Sequence, residues 1–311
     1  PVPVGPTGTT ALAAREDVVS LKGTPLVPAI PDRHAGLLGR YLAAPLLRKV
    51  PAITVLFWVI KLLTTATGEA TSDFLVFSIN PYVAVVTGCM GLMVALLLQL
   101  RATRYVPWIY WLAVTMVAVF GTMAADVLHV VLGVPYAAST AGFVLALAVV
   151  FAAWYASERT LSIHHIDTRR RELFYWATVM ATFALGTAAG DLTASTFGLG
   201  YPSSAALFAL LLALPALAWW RLGLSPIAAF WLAYIVTRPL GASFADWFGK
   251  PYLGGLGLGD GPVALVLALL IVAGVAYLTV SRADQPVMPA GAVVSGGTLE
   301  AIDDDLGPAR G

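Results

Sequence analysis

The feature that most limits what this chain can become is a pattern that occurs four times with the same internal spacing: an aromatic residue, tryptophan, nine residues, glycine, four residues, aspartate. The copies are Phe57-Trp58, Gly68 and Asp73; Tyr110-Trp111, Gly121 and Asp126; Tyr175-Trp176, Gly186 and Asp191; and Phe230-Trp231, Gly241 and Asp246. Four copies without an internal insertion mark an architecture made from one unit used four times. A site in such a chain occurs four times, or once with four contributions.

The copies sit in apolar surroundings. With 59% hydrophobic and 11% charged residues and a mean hydropathy of +0.83, the chain falls outside the range of soluble domains, and an integral membrane protein is expected. Eight apolar runs, at roughly 50–76, 81–100, 106–131, 136–156, 173–196, 202–220, 225–247 and 261–280, each approach the ~20 residues that a helix needs to cross a bilayer. The even-numbered runs open at Pro81, Pro135, Pro202 and Pro262, where a missing N–H costs nothing in the first turn. Each repeat therefore reads as a two-helix hairpin. The predicted fold is an all-α membrane protein with eight transmembrane helices, arranged as four parallel two-helix hairpin repeats related by axes along the membrane normal.

Residues 1–48 read as a cytoplasmic tail with a short amphipathic lead-in at 34–49. The transmembrane domain spans 49–282, in repeats of about 49–105, 106–168, 169–222 and 223–282, and 283–311 reads as a disordered cytoplasmic tail. Arg40, Arg48, Lys49, Arg101, Arg104, Arg159, Arg169 to Arg171, Arg221 and Arg282 flank or link the hairpins, whereas the turns inside them hold only Lys250. By the positive-inside rule both termini face the cytoplasm. The first thirty residues lack the apolar core of a signal peptide, and none is expected there. The few basic residues sit between apolar runs rather than in a patch, so nucleic acid is not expected as a partner. The single cysteine, Cys89, reads as a small packing residue.

The aspartates carry the chemistry. An ionised carboxylate in hydrocarbon costs at least ~2.5 kcal/mol, so each needs a partner, an ion or water. At 1.5 Å per residue, Asp126 and Asp191 lie roughly 27–30 Å along their helices, in the outer third of the membrane. Two readings stand: ion or proton acceptors, or structural groups that cap a break near the glycine and hold the hairpin. Repeat one adds Glu69, one turn before Asp73, where two carboxylates on one face call for a cation or proton between them. The residues in its place elsewhere are Thr122, Thr187 and Ala242.

Lys61 and Arg238 are buried basic candidates that either pair with a neighbouring carboxylate or act as movable counter-charges. Thr64, Thr182 and Thr237 share the position six after the tryptophan, with Val117 as the exception. Their hydroxyls bond a helix carbonyl or serve as oxygen ligands. Asp73, Glu69 and Asp191 are the metal candidates. All-oxygen donors favour Mg, Mn, Ca, Na or a proton over copper or zinc. His129 can extend a path at the outer face, and His164, His165 and Asp167 read as a solvated, topology-fixing loop. The repeated glycines allow close helix approach or unwinding. No HExxH, Gly-x-Ser-x-Gly, phosphate loop or cysteine pair is present, so an enzyme is not expected.

Lys49-Val50-Pro51-Ala52-Ile53-Thr54, Phe57-Trp58, Lys61, Thr64-Thr65, Gly68-Glu69-Ala70 and Ser72-Asp73 resemble an uncharacterised family of bacterial membrane-anchored proteins described by a tandem repeat of unknown function. The resemblance covers roughly 49–280. It implies a multi-spanning protein of the bacterial inner membrane and supplies no substrate. The expected function is small-cation transport or conduction, of a divalent metal or sodium or coupled to protons, with the bilayer and an inorganic cation as partners. Self-association stays open, and the alternative is a membrane scaffold or sensor with structural aspartates and a partner-binding link at 158–172.

Overall fold

A computed structural model describes residues 49–284, 292–295 and 298–301. The tail and lead-in assigned to 1–48 lie outside the described residues. Among these residues, eight long helices follow one another: α1 Val55–Ser78, α2 Pro81–Arg101, α3 Pro107–Asp126, α4 Tyr136–Glu158, α5 Arg169–Asp191, α6 Gly200–Leu222, α7 Pro226–Gly249 and α8 Asp260–Ser281. Within the C-terminal stretch read as disordered, Ala292–Ser295 pairs antiparallel with Thr298–Ala301.

Local chemistry sets the helix ends. Thr54 caps α1 by accepting from the Phe57 N–H, Asn80 caps α2 ahead of Pro81, and Thr168 caps α5. Seven of the helices, α2 to α8, are long and apolar enough to cross a bilayer. The chain is a membrane protein. The remaining helix, α1, is 24 residues long but carries Lys61, Glu69 and Asp73.

Burial separates the helices into two rings. Between 56 and 67% of the apolar windows of α3, α5 and α7 is buried, against 17 to 28% for α2, α4, α6 and α8. The helices that carry the repeated aromatic-tryptophan pair touch in sequence, α1 on α3, α3 on α5 and α5 on α7, and α7 packs back on α1. Four inner helices thus form a closed ring. The outer helices make their largest contacts with the next repeat, α2 with α3, α4 with α5 and α6 with α7, and α8 closes on α1. The hairpin is a unit of sequence, while packing couples each outer helix to its neighbour's inner helix.

The repeated glycines explain how closely the inner helices approach. A Cβ on Gly68 would run into Ala118, one on Gly121 into Phe183, one on Gly186 into Arg238, and one on Gly241 into Thr65. Those four neighbours share one place in the repeat, seven residues after the tryptophan, so each inner helix meets the next through the same notch. Close approach, not unwinding, is what these glycines supply.

Candidate functional site

Five residues at every fourth position run along each inner helix. They are Phe57, Lys61, Thr65, Glu69 and Asp73 on α1; Tyr110, Val114, Ala118, Thr122 and Asp126 on α3; Tyr175, Val179, Phe183, Thr187 and Asp191 on α5; and Phe230, Tyr234, Arg238, Ala242 and Asp246 on α7. Residues four apart lie above one another on a helix. All are buried except Asp126 and Asp191, which are partly so. The stripes give five layers of four residues, from an aromatic layer near the helix starts, the proximal end, to the aspartate layer at the distal end.

The fourth layer is organised by a cation from the third. The Arg238 guanidinium is fully buried and donates from Nη2 to Glu69 Oε2 at 2.8 Å, to Thr187 Oγ1 at 2.7 Å and to Thr122 Oγ1. Glu69, Thr122 and Thr187 are equivalent positions of the first three repeats. Alanine at the fourth, Ala242, lies one turn beyond Arg238 itself. One arginine therefore ties four helices together through a charge-assisted network.

The second layer holds the other buried base. Lys61 Nζ stands 4.2 Å from the centre of the Phe183 ring and 4.3 Å from that of Tyr234. It is 1% exposed and has no hydrogen-bond partner among the described residues. Lys61 thus sits among π faces rather than on a carboxylate.

At the distal end, Glu69, Asp73 and Asp246 each present a carboxylate oxygen within 4.8 Å of the other two. Lys250 Nζ bridges two of them, 2.9 Å from Asp73 Oδ2 and 2.8 Å from Asp246 Oδ1. Burial works against the Lys250 ammonium, but the charges of Asp246, Asp73 and Glu69 outweigh it and hold its pKa well above the ordinary 10.5. Asp126 and Asp191 lie within electrostatic reach of the same group. At an effective dielectric constant of about 20, two full negative charges 4.8 Å apart repel by about 3.5 kcal/mol, so the cluster needs protons or cations. The all-oxygen donor set suits hard cations.

The helix does not break before the aspartates. Asp126 and Asp191 keep right-handed helical angles and cap nothing; each leads into a single π-helical turn, Val127–Val131 and Leu192–Thr196. That removes the capping role for these two residues, and a π turn beside a charged residue is a frequent mark of function. Thr64, Thr182 and Thr237 donate to the carbonyls of Lys61, Val179 and Tyr234 at 2.7–2.8 Å, which engages their hydroxyl protons within their own helices. His129 bonds the Val134 carbonyl at 3.1 Å, and Asp167 pairs with Arg171 at 2.9 Å.

The metal candidates Glu69 and Asp73 come together, joined by Asp246 rather than by Asp191. Sequence reasoning left out Lys250, Thr122 and Thr187 as site members. The last two were within reach, because extending the repeat at four-residue steps places both opposite Glu69.

The repeat described as "Repeat of Unknown Function (DUF347)" matches at residues 56–105, 109–160, 174–224 and 229–284. This chain belongs to the DUF347 repeat family. Each match runs from an inner helix through the following outer helix, so the DUF347 unit is the sequence hairpin and the ring holds four of them. No curated protein and no solved structure matches the chain.

Proposed function

We propose that this protein is a carrier for a small hard cation, working with protons, whose loading site is the distal cluster of Glu69, Asp73 and Asp246 with Asp126 and Asp191 beside it. The observation that carries this reading is the bridging of Asp73 and Asp246 by Lys250: an ammonium on a flexible stem holds two of three converging carboxylates and can swing away when a cation arrives. Lys250 takes the part of movable counter-charge that the sequence suggested for Lys61 and Arg238.

A carrier fits better than an open channel. Proximal to the carboxylates, Arg238, Phe183, Lys61 and Tyr234 are fully buried and fill the middle of the ring with two basic groups and two aromatic rings. In this reading all eight helices span a bacterial inner membrane as four parallel repeats, with both termini in the cytoplasm. Because α1 is enclosed by α3, α7 and α8, its charges do not meet lipid.

The test is flux of Mg, Mn, Ca or Na into liposomes, together with cellular ion content. Wild-type protein is expected to move one of these ions and Asp73→Asn or Asp246→Asn to abolish it. Unchanged flux and ion content in wild type and variants alike sink the proposal. The scaffold reading draws on the Arg238 network, which binds all four repeats. It predicts that the Asn variants collapse in detergent while no ion raises the melting temperature.

A further inference from the structure

Between the proximal end and Lys61 the ring contains a file of phenols that the cation site does not use. Tyr105 lies in the segment between α2 and α3, and its hydroxyl bonds the Asp284 carboxylate just past α8. Its ring meets that of Tyr110 edge-on, with centres 5.8 Å apart. The Tyr110 and Tyr175 hydroxyls share a 2.6 Å hydrogen bond. Next in line is Tyr234, which adjoins Tyr175 but whose hydroxyl makes no hydrogen bond of ordinary length among the described residues. Beyond it stands Lys61 Nζ, over the Tyr234 ring.

The aromatic layer needs rings for packing, yet packing does not ask for hydroxyls. Phe57 and Phe230 fill the equivalent places without them and are buried too. A hydroxyl in an apolar interior is costly unless it is bonded, and Tyr110 and Tyr175 are each 1% exposed. Their phenols satisfy one another, and the file leads toward Lys61, whose amine has no hydrogen-bond partner among the described residues.

We propose that Tyr110, Tyr175 and Tyr234 form a proton path between the proximal end of the ring and Lys61, and that Lys61 takes up and releases the proton that works with the cation. Each hydroxyl accepts a proton from the group behind and passes its own to the group ahead. Only O–H and N–H bonds form and break, and the last transfer places the proton on the lone pair of the Lys61 amine.

The groups facing Lys61 suit this role. Phe183 of α5 and Tyr234 of α7 face the amine, Arg238 of α7 is a charge within its electrostatic reach, and among the described residues no carboxylate bonds it. With only rings for partners, its proton is one the amine can surrender. Among the described residues neither the Tyr234 hydroxyl nor the Lys61 amine, which stands over the ring face 4.3 Å from its centre, has a hydrogen-bond partner, so both links to Tyr234 close only when its ring moves.

The inference builds on the carrier reading but is measured apart from it. Purified protein in liposomes, with an inside-negative potassium diffusion potential and a trapped pH dye, is expected to admit protons. Tyr110→Phe, Tyr175→Phe and Tyr234→Phe each cut that flux at least tenfold, Lys61→Met abolishes it, and Tyr277→Phe on the exposed face of α8 leaves it unchanged. Proton entry no faster than in protein-free liposomes, or Tyr→Phe variants that conduct at the wild-type rate, overturns the path. If Tyr175→Phe does not fold, Tyr234→Phe decides, because its hydroxyl makes no ordinary bond to lose. Cation flux is followed in parallel. Cation movement without protons sinks the path alone, and protons without cation movement sink the cation reading alone.

Discussion

Removing Glu69 and removing Arg238 have different consequences, and the difference follows from what each leaves behind. Glu69→Ala strips the guanidinium of the carboxylate it meets at 2.8 Å and leaves two threonine hydroxyls as its side-chain partners in a fully buried place. An uncompensated buried charge of this kind costs ~3–5 kcal/mol. Arginine cannot shed its proton to escape that cost.

Arg238→Met leaves a carboxylate instead, and a carboxyl group can take a proton and keep its 3.2 Å bond from Thr122. The expected loss is then about 1–3 kcal/mol, the cost of an imperfectly satisfied buried group. In the double variant neither charge remains, so its destabilisation should fall short of the sum by ~2–3 kcal/mol. Tryptophan fluorescence during titration with a denaturing detergent, in mixed micelles, measures all three. A Glu69→Ala cost below that of Arg238→Met, or simple addition of the two, would refute the reasoning.

Two further outcomes are expected. Gly186→Ala pushes a methyl group into the Arg238 side chain and Pro239 and should cost ~1–3 kcal/mol, whereas Gly142→Ala on α4, where nothing stands within 4 Å, should be neutral or stabilising in the same titration. Lys250 has a folded pKa above 10.5, so its stabilising contribution is complete below pH 10.5 and is lost as pH rises through the higher folded value. Thermal unfolding in the alkaline range should show that loss for the wild type, and Lys250→Gln should be flat there.

The sequence made the ring's parts visible and hid their assembly. Fixed spacing of Trp58, Gly68 and Asp73 across four copies identified the unit, and one feature of it, the glycine, turned out to be the notch between inner helices. Stepping by four from Phe57 would have reached every layer, because the stripe is a property of a single helix. The partner of each outer helix was not legible. Leu145 and Val149 on α4, or Leu265 and Leu269 on α8, are apolar on faces that meet lipid as well as protein, so hydropathy marks the membrane without marking the neighbour. Lys250 was passed over for another reason. It reads as a lone loop charge, and its partner Asp73 belongs to the opposite end of the chain.

The closing of the fourth repeat on the first also sets an order of events during synthesis. Helix α1 is made first and carries Lys61, Glu69 and Asp73, yet Arg238, Tyr234 and Lys250, which meet them, come only with the fourth repeat. In the reading that places α1 across the bilayer, its charges have only Thr122 and Phe183 to meet until α7 and the turn after it emerge. The nascent protein is therefore least at home in the membrane in the middle of its synthesis, and α8, docking onto α1, marks the moment when the oldest helix is finally enclosed.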